Sequence, residues 1–348
     1  MLTIFLIDVN NVRAMNYSIE TLIKRKRVKK ALVLGVGGGG DILSTLPTYS
    51  YLRSLGLKSV LIGGVTWERI VVDPKPGPRS LDEIVGVEKI SSTVGLIDGK
   101  CKTLDGVVLQ AARLSGFLKK KIILIDLNKG VKGLVDGLLD AVKMLKIDLI
   151  VGIDGGGDIL ARGNESGLSS PLADSMMLST LAQLNVPSII GVFGFGSDGE
   201  LKPREISERL SEVASIGGYL GAKGLTPEDV ELLKAASKYV FSEASSLPIL
   251  AAEGKFGEVS IREGTRKVYL SILSTITFYV DAEKLYSLSP LAQAVKNTKS
   301  LLEAKVELNK MGLFTELDFE YVATKLKTTS YKKILKYVER YGRQLFIK

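Results

Sequence analysis

A chain of 348 residues, 45% apolar and 24% charged, has room for one large α/β domain with an appendage, or for two domains, and the composition of an ordinary soluble globule. One cysteine and no histidine exclude a disulfide framework within the chain, a cysteine-rich zinc site and every Ser-His or Cys-His catalytic pair. The net charge of +9 invites an anionic partner, but no zinc-finger, aromatic RNA-platform or helix-turn-helix signature accompanies it, so nucleic acid is weakly supported.

Residues 1–16 contain the apolar stretch "MLTIFLI", interrupted at Asp8 and without a basic leader, and are expected to form an N-terminal extension, not a signal peptide. No apolar run approaches the roughly 18 residues of a membrane span, which with the lone Cys101 points to a cytoplasmic protein with no membrane partner. Sparse glutamine beside abundant lysine, arginine and glutamate suggests a hot-adapted source. "KRKRVKK", Lys24 to Lys30, reads as a solvated helix face.

From Lys30 to Ile216 short β-branched runs alternate with helical patterns. "KALVLGV" predicts the first strand, "ILSTLPTYSYLRSLG" a helix ended by Gly56, and "KSVLIGGV" the next strand. After an irregular proline-rich stretch, Asp73 to Ser80, follow strand "KIILIDL", helix "GLVDGLLDAVKMLK", strand "DLIVGID", helix "PLADSMMLSTLAQL" and strand "PSIIGVFG". In "SSPLAD", Ser170 stands at an N-cap and Pro171 at the first helical position, a structural assignment. Nearly continuous apolar strands imply a sheet covered on both faces. Residues 17–216 are therefore expected to form a Rossmann-like, doubly wound α/β domain with a mostly parallel sheet.

Residues 217–348 are expected to form a smaller mixed lobe. Thr226, Pro227 and Asp229 mark a capped helix start. "EVSIREGTRKVYLSILSTITFYVD" suggests two strands, the first turned at Glu263-Gly264, and helical patterns dominate from Pro290.

"LGVGGGGDIL", Leu34 to Leu43, repeats as "VGIDGGGDIL", Val151 to Leu160. Two similar strand-to-helix corners facing one crevice fit this duplication, because open α/β sheets bind ligands at strand carboxyl ends where the winding reverses. Gly37, Gly38, Gly39 and Gly40, with Gly155, Gly156 and Gly157, are expected to offer amides to an anion. Gly35 to Gly40 also matches the dinucleotide fingerprint, which keeps an NAD(P) or flavin oxidoreductase as the alternative, although no acid ends the next strand. Asp41 opposes a bare phosphate, since like charges about 4 Å apart repel by roughly 4 kcal/mol at a partly buried site. Asp41 and Asp158 could instead cap the following turn.

Asp126, Asp154 and Asp158 stand at or just beyond strand ends and are candidate ligands for magnesium. Asp154, Asp158 and Glu165 are the candidate catalytic carboxylates, since without histidine a carboxylate or cation must handle protons. In "GVTWERIVVDPKPGPRS" the residues Trp67, Glu68, Arg69, Asp73 and Arg79 are expected to wall the site, Trp67 by ring stacking or as a core anchor. A third turn, "GFGSDGEL", adds Gly194, Gly196 and Asp198.

Taken together and in order, "GGGGDIL", "GVTWERIVVDPKPGPRS", "VGIDGGGDILARGNESGLSSPLADSMML" and "GFGSDGEL" resemble an archaeal and bacterial family catalogued as a domain of unknown function, number 1152 of that series. The resemblance covers about Ser18 to Lys305 and implies a shared glycine-rich α/β architecture without a catalytic assignment. The expected function is an enzyme that binds a nucleotide-like or phosphorylated small molecule with a divalent cation, for phosphoryl or glycosyl transfer; a non-catalytic ligand-binding or nucleic-acid-associated protein is the other alternative.

Overall fold

The computed structural model describes residues 17–345, so the expected N-terminal extension lies outside the described residues. The strands are β1 (Lys30–Gly35), β2 (Ser59–Val65), β3 (Ile84–Val85), β4 (Glu88–Lys89), β5 (Val94–Ile97), β6 (Lys102–Thr103) and β7 (Ile122–Ile125). They continue with β8 (Leu149–Gly155), β9 (Ser188–Phe193), β10 (Tyr219–Gly224), β11 (Gly257–Ile261), β12 (Arg266–Leu270) and β13 (Ile276–Asp281). The helices are α1 (Ile19–Arg25), α2 (Thr45–Ser54), α3 (Gln110–Leu118), α4 (Gly130–Leu145), α5 (Pro171–Leu181), α6 (Pro203–Ser215) and α7 (Pro227–Ser237). After these come α8 (Glu243–Ala252), α9 (Ala282–Leu288), α10 (Pro290–Ala294), α11 (Leu301–Lys310), α12 (Glu316–Leu326) and α13 (Tyr331–Leu345).

One large sheet runs β10-β13-β9-β8-β1-β2-β7-β5-β4. Its five central strands, β9 to β7, are parallel, and each of the two strands on either flank pairs antiparallel with its inner neighbour. Alternate residues of β1 serve two cores: Leu32 and Leu34 join Leu134, Leu138 and Met177 on one face, while Ala31 and Val33 join Leu46, Leu114 and Leu233 on the other. Helices cover both faces, which is why β1 reads as an unbroken apolar run. Among the described residues no helix is long and apolar enough to cross a membrane.

The expected boundary at 216/217 does not separate two sheets, because β10 and β13 extend the same sheet beyond β9. The stretch expected to give two strands gives three: β11 and β12 form a hairpin packed through Ile261, Val268 and Leu270 on Leu247 of α8, and β13 pairs with β9. The helix expected from Ile42 begins at Thr45 as α2, after a separate 3-10 turn at Gly39–Ile42. Thr226 caps α7 with Asp229 closing the box, as its sequence dictates.

Topology fixes where a ligand can sit. From β1 the chain winds one way to β2 and β7, then returns past β1 to β8 and continues the other way to β9. The reversal lies between β1 and β8, which are paired in parallel from Ala31↔Leu149 to Gly35↔Ile153. Both glycine-aspartate corners leave the carboxyl ends of these two neighbouring strands, at the switch point where a crevice opens.

Candidate functional site

A cavity opens at that crevice, with about 1090 Å3 of empty space counting its mouth, enough for a nucleotide-sized molecule. The first corner lines it through Gly37, Gly38, Gly40 and Asp41. Asp41 turns back on its own glycines: its Oδ2 accepts the amides of Gly37 at 2.9 Å and Gly38 at 3.4 Å. The Gly39 amide donates to the Trp67 carbonyl at 2.7 Å. Asp41 thus stands where an anion would, and partners two of these amides while the Trp67 carbonyl takes the third. Gly37 is glycine because a Cβ there would lie 2.7 Å from Asp41 Oδ2 and 2.9 Å from Asp174 Oδ2.

The second corner supplies Asp154, Gly155 and Asp158 to the same cavity. Asp154 ends β8 and accepts the Ile159 amide at 3.3 Å, so the turn-capping expected of Asp158 falls to Asp154. Asp158 accepts instead from the Ser170 hydroxyl at 3.1 Å. The single proton of that hydroxyl is shared with Glu200, which lies closer at 2.5 Å, and Ser170 does not cap α5 with its side chain. Glu316 of α12 takes over, accepting the Leu172 and Ala173 amides at 3.0 and 2.7 Å.

Asp154, Asp158 and Asp174 each place a carboxylate oxygen within 4.8 Å of the others, and all three are buried. Asp174 comes from the first turn of α5, a helix buried on every side. Oxygens facing one another across a cation stand about 4.2 Å apart for magnesium and about 4.8 Å for calcium. Asp174 Oδ1 and, next to the group, Asp198 Oδ2 are buried without a hydrogen-bond partner. Burial, then repulsion from neighbouring acids (Asp41 and Asp198 on Asp154, Asp174 and Glu200 on Asp158, Asp154 and Asp41 on Asp174), pushes all three well above the ordinary carboxyl range. Burial likewise lifts Asp41 and Asp198 to about 6. Glu200 behaves oppositely: burial opposes its charge, but Arg266 and Arg262 hold it down at about 2.

Across from these acids stands a basic wall. Arg266 of β12 binds Glu200 Oε1 at 2.8 Å and the Asp198 carbonyl at 2.9 Å. Arg69 pairs with Glu243 at 3.1 Å and donates twice to the Tyr331 hydroxyl. Arg262, at the β11–β12 hairpin tip, also lines the cavity. The roof is α12 and α13, resting on Ile70 through Val322, Ala323 and Ile334. From α12, Glu320 accepts the Trp67 indole N–H and the Gly77 amide.

The other expected residues divide. Trp67, Glu68, Arg69 and Asp198 line the cavity. Glu68 is buried, packs where a Cβ on Gly39 would stand, and is pushed up to about 8, chiefly by burial. Asp73 and Arg79 form a buried two-point ion pair at 2.6 and 2.8 Å, so Arg79 faces its partners instead of the cavity. Asp126 ends β7, two strands from β1, where it binds the Leu81 and Asn128 amides. Glu165 wraps the Arg162 and Gly163 amides. Neither acid lines the cavity or joins the three-aspartate group. Gly39, Gly156, Gly157, Gly194 and Gly196 shape the turns behind the wall; Gly196 donates to the Gly156 carbonyl at 2.6 Å.

Glu200, noted in the third glycine turn beside Asp198, lines the cavity, while sequence inspection missed Asp174, Glu316, Glu320, Arg262, Arg266 and Tyr331. A lone acid in the otherwise apolar first half of "PLADSMML" was the available signal for Asp174. The others lie in segments that only tertiary packing brings to the crevice.

Comparison with the curated proteins gives no match. A family model described as a protein of unknown function (DUF1152) matches residues 32–324, from β1 through most of α12, and the chain belongs to that family.

Proposed function

We propose that the cavity holds a divalent cation on Asp154, Asp158 and Asp174 and binds a nucleotide-like or phosphorylated small molecule against it, for metal-assisted phosphoryl or glycosyl transfer or hydrolysis. The observation that carries this proposal is the crowding of buried carboxylates at the switch point, two of them with an oxygen that nothing in the protein satisfies. Buried like charges are costly unless protonated or bridged by a cation. A bound cation supplies the positive charge that polarises a phosphoryl or glycosidic oxygen.

The protein's own groups have separate tasks. Asp158 is held by Ser170, and Asp154 by the Ile159 amide, so both present fixed oxygens. Asp198, with Oδ2 unpartnered, is the group left to take a proton from an attacking hydroxyl or water. Trp67 and Phe319 provide apolar surface for a ring. Against the dinucleotide alternative stands the partnering of the Gly37 and Gly38 amides by Asp41.

Titration calorimetry with Mn2+, followed by a thermal-shift screen of nucleotides and sugar phosphates with and without Mg2+, tests the proposal. Wild type should bind Mn2+ and at least one phosphorylated compound, with Asp158→Asn losing the cation and Arg69→Ala weakening the compound. A wild-type protein that takes up no divalent ion at neutral pH overturns it.

A further inference from the structure

The hairpin between β11 and β12 ends in two consecutive non-glycine residues with left-handed backbone, Arg262 at φ 52° and Glu263 at φ 59°. Such a conformation costs free energy and persists only where the surroundings enforce it. Here the Arg262 amide is fastened to Glu243 Oε1 at 3.1 Å, and Glu243 Oε2 pairs with Arg69. The guanidinium of Arg262 lies 5.4 Å from the centre of the Tyr331 ring, and that of Arg69 lies 5.2 Å from it. Stacking compensates the face of the Arg262 guanidinium but leaves its N–H edge.

The three arginines of the wall differ in what they hold. Arg266 is committed to Glu200, the Asp198 carbonyl and Ser169. Arg69 is committed to Glu243 and Tyr331. Arg262 makes no ion pair among the described residues, and its Nε is buried without any hydrogen bond. Burial, then the nearby charges of Arg266 and Arg69, pushes it down to about 10. Its nearby anion, Glu200, is already paired with Arg266, so this cavity-lining cation keeps an empty donor edge and no ion-pair partner of its own.

We infer that Arg262 is the anion anchor of this cavity and receives a phosphate group of the ligand on its planar N–H fork, so that the arginine hairpin, and not the glycine turns, reads the phosphate. The conclusion rests on the cavity accepting a phosphorylated molecule as proposed above, and it assigns the two ends of that molecule: phosphate at the hairpin, reacting bond at the aspartates. Guanidinium geometry suits two oxygens of one tetrahedral or planar oxyanion, which a lysine ammonium cannot reproduce. The amides of Gly37, Gly38 and Gly39 are spent within the protein, whereas the Arg262 side chain is an open charged donor.

Calorimetric titration of inorganic phosphate into the full chain, in EDTA at low ionic strength, reads the anchor without any cation. Wild type should bind; Arg262→Gln should lose about tenfold or more in affinity, and Arg262→Lys should not restore it, as expected for a charge-assisted pair. Arg204→Gln, on the exposed Arg204–Glu208 pair of α6, should bind as wild type. Acetate binding as tightly as phosphate, and with the same dependence on Arg262, would reassign the anchor to carboxylates and overturn the phosphate assignment. Equal phosphate affinity in wild type and Arg262→Gln, or no phosphate binding by a protein that still takes up Mn2+, overturns the inference alone. Phosphate binding without Mn2+ uptake would instead remove the cation proposal and leave the anchor standing. Should Arg262→Gln bind nothing, its melting temperature decides: a half-buried cation without an ion-pair partner can be removed without loss of stability, whereas a drop marks a structural arginine and counts against the anchor.

Discussion

A Cβ built on Gly156 would lie only 2.2 Å from the carboxyl carbon of Asp198, whose side chain fills the space a larger residue would need. Gly156 also has φ 141°, a backbone conformation that L side chains rarely adopt. The second glycine corner is therefore shaped around an acid from the third, and Gly156→Ala must displace Asp198 as well as strain the turn. We expect a loss of roughly 2 kcal/mol or more in unfolding free energy together with weaker Mn2+ binding, measured by urea denaturation and calorimetry. Asp198→Asn, which leaves that space as it is, should keep wild-type stability. A Gly156→Ala protein as stable as wild type would show that Asp198 has room to move.

The parts of this arrangement visible in the sequence are those that chain-local rules generate. The two Gly-Asp corners follow apolar strands within a few residues, and the duplicated spacing predicts their adjacency, which β1 and β8 realise. The return of Asp41 to Gly37 and Gly38 was also within reach, since an acid three or four residues after an amide can close on it. Arg69 and Arg79 looked equivalent because both follow Trp67 in one stiff loop. What separates them is tertiary: Arg79 closes on Asp73 and Asp105, while Arg69 meets Glu243 and Tyr331, far along the chain. Arg262, Glu316 and Glu320 were illegible for the same reason, as no local pattern tells which hairpin tip or helix face will cover a crevice.

Replacing Asp174 by asparagine removes one of three crowded charges while keeping its shape. Without a cation, Asp174→Asn should melt at the wild-type temperature or above it, because repulsion among Asp154, Asp158 and Asp174 falls. With saturating Mn2+ the order should reverse: a ligand at a hundred times its dissociation constant stabilises wild type by about 2.7 kcal/mol, and the variant should gain little. Differential scanning calorimetry with EDTA and with Mn2+ checks both halves. A variant that melts lower in EDTA would mark Asp174 as a structural hydrogen-bonding residue.

Arg79 was expected to meet the ligand, and its buried pairing with Asp73 gives a different consequence. Arg79→Met leaves the Asp73 carboxylate buried without its cation, and breaking such a pair from one side costs roughly 3 to 5 kcal/mol. Denaturant unfolding should show that loss, and at a temperature where the variant is still folded its phosphate and Mn2+ affinities should match wild type. A variant of normal stability that no longer binds phosphate would return Arg79 to the ligand.

Glu320 links the roof to the sheet through the chain's single tryptophan, so fluorescence reports its protonation. Burial pushes this carboxyl from 4.5 up to about 7, against the opposing effect of the Gly77 and Trp67 N–H donors. The folded protein then holds a proton that the unfolded chain releases, so this contribution to stability is complete below about pH 4.5 and is lost as pH rises through 7. The loss amounts to roughly 3 kcal/mol at most. We expect Trp67 emission to titrate near pH 7 and the melting temperature to fall across the same interval. In Glu320→Gln the emission change should vanish and the fall should be shallower, with a remainder from Glu68, which burial lifts to about 8. Unchanged emission between pH 5 and 8 in the wild type would mean that Glu320 is already charged in the folded protein and that the Trp67 contact is an ordinary anionic hydrogen bond.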